Sequence, residues 1–153
     1  MKIYVDCSEC RGSSRPDGRK CCEGGHADIY SGIYLTKREV RDIETFSKRR
    51  AEDFSESIWN HYLKRNIISL RFPCIFYEKR NGCSIHPVKP LMCEIFPFHI
   101  DPLTFSITLD YGYCQNIVRL EDGKVNQNIP TNHIIDTDKY TDKIKKWLDK
   151  FWS

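Results

Sequence analysis

No stretch of this sequence approaches the roughly 20 apolar residues that a membrane span requires. Nor does the N-terminus, MKIYVDCSEC, carry the apolar centre of a secretory leader, because Asp6 and Cys7 interrupt it. The expectation is a cytoplasmic protein that does not engage a membrane. An excess of one charge is also missing. The net charge of +3 is too small to imply nucleic acid, whose binders concentrate basic residues in a stripe. Internal repeats and low-complexity tails are absent. A glycine-rich phosphate loop is absent too, since Gly24-Gly25 in EGGH lacks the strand–loop–helix setting such a motif needs.

What the chain has in quantity is cysteine, eight residues in 153. That length suits one domain, residues 1–153, able to bury a real core. An even cysteine count would suit a disulfide framework in a secreted chain. In a reducing cytoplasm that explanation is poor, and metal ligation becomes the better reading.

Residues 1–34 read as loop-rich, with RGSSRPDGRK between two cysteine pairs, so something other than apolar burial has to hold them. The stretch LTKREVRDIETFSKRRAEDFSESIWNHYLKRN predicts a long helix in the N-terminal half. Thr36 and Glu39 form its capping box, and a break between Lys48 and Asp53 would make it two helices. ISLRFPCIFYEKRNGCSIH predicts a β-hairpin with Cys74 on the first arm, a turn at Asn81-Gly82 and Cys83 opening the second. A short helix from Val88 to Phe96 follows, started by Pro87 or Pro90 and carrying Cys93. FHIDPLTFSITLDYGYC predicts another strand pair ending at Cys114, and Asp122-Gly123 a further hairpin. The last segment predicts an amphipathic helix with Ile144, Trp147, Leu148 and Phe151 on its apolar face. The fold class is α+β, a small domain of short hairpins, a long helix and a C-terminal helix organised around cysteine-bound metal.

The cysteine spacing carries the chemistry. Cys7 and Cys10 are separated by a two-residue spacer, and the intervening turn lets both thiolates grip one ion. Cys21 and Cys22 are adjacent, so in extended chain their side chains point to opposite sides. Cys74, Cys83, Cys93 and Cys114 supply thiolates for a second site. Zinc and iron–sulfur clusters each commonly take four such ligands, so the eight cysteines are the candidate metal ligands, enough for two sites. The run C-x2-C-x2-C-x3-C-P is missing, so zinc and an iron–sulfur cluster stay open as the cofactor. His86, three residues after Cys83, and His26, in the loop, are additional ligand candidates. His99 reads as structural. Lys143, Lys145, Lys146 and Lys150 make a basic face on the last helix that reads as solvated surface.

The ordered pattern CSEC…CC…CIFYEKRNGCSIHPVKPLMCEIFPF resembles the YkgJ-like cysteine-cluster family, the CxxCxxCC proteins. Cys7, Cys10, Cys21 and Cys22 match the family's first cluster, and Cys74, Cys83 and Cys93 its later block with P-x-x-C-x-x-F-P. The chain departs from the pattern in the ten residues between Cys10 and Cys21, and in His86, Lys89 and Glu94. The resemblance implies chelation of zinc or iron. It also implies a link to protein modification, because flagellin lysine methylases carry a similar cluster, although this chain has no recognisable methyl-donor motif. The expected function is a metal-binding protein whose thiolates hold an iron–sulfur cluster or zinc, in redox or protein-modification chemistry. The expected partner is a protein. The alternative is a non-enzymatic, zinc-stabilised protein- or RNA-binding module. No residue is singled out as catalytic.

Overall fold

The computed structural model describes residues 2–5, 33–78, 82–96, 98–109, 117–119 and 134–153. Cys7, Cys10, Cys21, Cys22, His26, Cys114 and the Asp122-Gly123 turn lie outside them.

The capping box forms as expected. The Thr36 hydroxyl accepts the Glu39 N–H at 3.1 Å, and the Glu39 carboxylate accepts the Thr36 N–H at 2.8 Å. Helix α1 runs Lys37–Ser47 and buries Val40 and Ile43. It stops at Lys48, which turns left-handed at φ 61° and donates its N–H to the Glu44 carbonyl at 3.0 Å. This is a C-terminal stop of the kind usually given to glycine.

The break allowed between Lys48 and Asp53 is present, and beyond it the helix expectation fails. After a single turn, α2 (Ala51–Phe54), the backbone becomes extended at Ser55 and forms β3 (Ser55–Asn60). That strand pairs antiparallel with β4 (Arg65–Leu70) along all six residues, from Ser55↔Leu70 to Asn60↔Arg65. Phe54, Ile58 and Tyr62 have helical spacing but share no buried face: Phe54 is 1% exposed, Ile58 is half-buried and Tyr62 is 56% exposed. Cross-strand pairing and the left-handed break at Lys48 win over local periodicity. Strand β2 (Tyr34–Leu35) completes this sheet on the other side of β4.

The predicted hairpin is present as β5 (Tyr77–Glu78) and β6 (Gly82–Cys83), with Tyr77 opposite Cys83. Cys83 is on the second arm as expected. Cys74 is not on the first arm but just ahead of it, after a cis Phe72–Pro73 bond and in a turn closed by the Tyr77 N–H on the Cys74 carbonyl at 3.3 Å. The next helix is shorter than predicted. A 3-10 turn, His86–Val88, is separated from α3 (Leu91–Glu94) because Pro90 holds Lys89 out of the helical region, at ψ 130°. Cys93 lies on α3.

Strands β7 (Phe98–Asp101) and β8 (Ser106–Leu109) form the expected second pair. Strand β1 (Lys2–Val5) was not expected in a loop-rich segment. It is the central strand of an antiparallel sheet, flanked by β9 (Ile117–Arg119) and β10 (Ile134–Asp136). The C-terminal helix, α4 (Thr141–Trp152), buries the four predicted residues Ile144, Trp147, Leu148 and Phe151. They join a single cluster with α1, α3, β4 and β7. The class is α+β. Among the described residues no helix is long and apolar enough to cross a membrane.

Candidate metal centre

Two of the predicted ligands come together. Cys74 and Cys83 are free, half-buried thiols packed against the core cluster. The turn from Cys74 to Tyr77 folds back on itself, the Tyr77 N–H donating to the Cys74 carbonyl at 3.3 Å. Burial pushes the Cys74 thiol up. The Phe76 amide opposes it, the neighbouring Cys83 adds to it, and the Tyr77 amide again opposes it. The balance in the absence of metal is a raised pKa. A bound metal ion would overturn that balance by deprotonating the thiol outright. Two thiols side by side are a donor set of the kind that suits a soft, thiolate-binding metal, and a four-ligand site would need two more.

Cys93 is half-buried and packs against the same core from α3. Among the described residues, no three Cys, His, Asp or Glu side chains gather in a way that could hold a metal ion. Cys74, Cys83 and Cys93 thus do not complete a site by themselves. His86 is exposed at the start of the 3-10 turn and does not supply a third ligand to the described pair. His99 is structural, its ring edge set against Tyr34 with centroids 5.8 Å apart.

The helix that carries Cys93 is tied down at both ends. At its start, the Leu91 N–H donates to Glu39 Oε1 at 2.8 Å. At its end, Glu94 accepts from Lys143 Nζ at 3.1 Å and bonds the Tyr140 hydroxyl. Burial first, and then the Glu94 charge and this hydrogen bond, push the Tyr140 phenol up. Lys143 is therefore more than solvated surface, since it pins α4 to α3, and its ammonium also lies 5.6 Å from the centre of the Tyr140 ring. Lys145, Lys146 and Lys150 are exposed as expected.

Sequence reasoning found Glu39 as a cap and missed its reach. Its Oε2 also accepts the Trp147 indole N–H at 3.1 Å, so one carboxylate touches α1, α3 and α4. No local signal announces this, because the donors lie 52 and 108 positions away.

No solved structure matches the chain. A family model does, over residues 6–127, which takes in all eight cysteines. Its description is "Putative zinc- or iron-chelating domain". With most of its length matched in this way, the chain belongs to the CxxCxxCC family.

Proposed function

We propose that this is an intracellular metal-binding protein that holds zinc or an iron–sulfur cluster through cysteines drawn from both halves of the chain. Cys74 and Cys83 serve as one prepared pair of ligands, and Cys93 approaches from α3. The remaining thiolates come from Cys7, Cys10, Cys21, Cys22 and Cys114. The observation that carries this reading is the β5–β6 hairpin, which sets two free, half-buried thiols, Cys74 and Cys83, beside each other against the core. A zinc ion would cross-link the segments, and an iron–sulfur cluster would add one-electron chemistry. The described pair offers too few ligands for either, so the economical site is one shared with residues 7–22.

The test is anaerobic purification followed by metal and acid-labile sulfide analysis. Iron with matching sulfide supports a redox centre serving electron transfer or protein modification. Zinc without sulfide supports a structural centre in a binding module. A sample with neither metal, and with disulfides among these cysteines, overturns the reading. Paired variants Cys10→Ser and Cys93→Ser test the sharing of ligands between the two halves. Both should weaken the same metal, and loss of a separate metal by each would establish independent sites.

A further inference from the structure

A glutamate at the third position of a helix has a local task, which is to accept the cap residue's N–H. Glu39 performs it, and then accepts the Leu91 N–H on Oε1 and the Trp147 indole on Oε2. Leu91 is the first residue of α3, so its N–H has no partner within the helix. A helix of one turn cannot fix its own place through its own hydrogen bonds. Something outside must do so, and Cys93 stands two residues beyond this contact.

We propose that Glu39 is the positioning residue of the metal centre, its carboxylate setting where the Cys93 thiolate stands relative to α1 and α4. The inference rests on the reading of Cys93 as a ligand. The chemistry requires a carboxylate at this position. Both oxygens receive N–H donors, whereas glutamine offers one accepting oxygen and an amide group that must face a donor on the other side. With Glu94 holding the far end, Cys93 sits between two anchored ends, so slackening the Leu91 contact lets the thiolate drift from its place.

The test is titration of the reduced, full-length protein with Co(II) alone, reading thiolate-to-cobalt charge transfer and the d–d bands. Glu39→Gln should weaken Co(II) binding about tenfold or more and alter the d–d bands, as loss of a group that orients a ligand does. Ile43→Val removes one methylene from the same helix and is a control for simple destabilisation. It should leave affinity and bands as in the wild type. Glu39→Asp keeps the charge but falls a methylene short of Leu91, and should move both readouts the same way by less. It serves as the test if Glu39→Gln does not fold. Wild-type affinity and bands in both Glu39 variants, with Cys93→Ser altered, would overturn the positioning role and leave the metal reading standing. An unchanged spectrum in Cys93→Ser would remove that ligand and this inference with it. Equal losses in Ile43→Val and Glu39→Gln would assign the effect to stability and overturn the proposal.

Discussion

Tyr62 and Asp101 show how one hydrogen bond makes stability depend on pH from both sides. The Tyr62 hydroxyl donates to Asp101 Oδ2 at 2.9 Å, while Asp101 Oδ1 accepts the Leu103 and Thr104 N–H groups. Burial pushes the Asp101 carboxyl up, but the Leu103 amide, the Tyr62 hydroxyl and Thr104 together outweigh it and hold the pKa below its ordinary value. The hydrogen bond to Asp101 is the main cause that pushes the Tyr62 phenol up. A depressed carboxyl contributes stability above its unfolded pKa of about 4 and loses it as pH falls through the lower folded value. A raised phenol contributes below its unfolded pKa of about 10 and loses it as pH rises through the higher folded value. Tyr62→Phe should therefore melt below the wild type across the neutral range, with the two curves converging in strong acid and at high pH. Thermal melts across pH check this, and a constant offset at all pH values would refute it. The site was partly legible at this scale. Cysteine type and spacing marked Cys74, Cys83 and Cys93 as ligand candidates, because thiolate chemistry is local to the residue. The partner that ties down the start of the Cys93 helix was not legible, because Glu39 finds Leu91 and Trp147 only through the fold.

Lys48 sets the length of α1, and no periodicity reveals it. The sequence from Phe46 to Asp53 has no glycine or proline, so it allows a break there without naming the residue that makes it. The structure stops the helix with a lysine at φ 61°, a conformation that costs a non-glycine residue roughly 1 kcal/mol. Lys48→Gly should relieve that strain and stabilise the protein by about 0.5–1 kcal/mol, read as a higher urea midpoint at unchanged slope. An unaltered or lower midpoint would mean that Lys48 makes a compensating contact. The other elements were easier to read. The β5–β6 hairpin, the β7–β8 pair and α4 each carry their instructions locally, in turn residues or in an apolar stripe. Strand β3 does not, because it becomes a strand by pairing with β4. Strand β1 likewise depends on partners more than a hundred positions away.

The α+β class was legible from the alternation of hairpin and helix signals, but the way α4 closes the molecule was not. Phe151 lies among Trp147, Trp152 and Tyr34, with ring centroids 5.0, 5.4 and 5.9 Å away, and the Arg65 guanidinium is 5.5 Å from its ring centre. It joins the last helix to β2 and β4 at once. Phe151→Ala should cost about 3–5 kcal/mol, measured by chemical denaturation. A loss below about 1 kcal/mol would mean that α4 is only loosely docked. The sheet built on β1 has a consequence for how the protein is made. Its outer strands are residues 117–119 and 134–136, and every cysteine in the chain lies between β1 and β9. On the ribosome, β1 emerges before the cysteine-bearing segments and both of its neighbours after them, so its edges stay unpaired until all eight cysteines have been made. All eight thiols are thus presented to the cell before the sheet that brackets them can close. A nascent chain meets oxidants and metal donors in that order of events, with sulfur first and closure last.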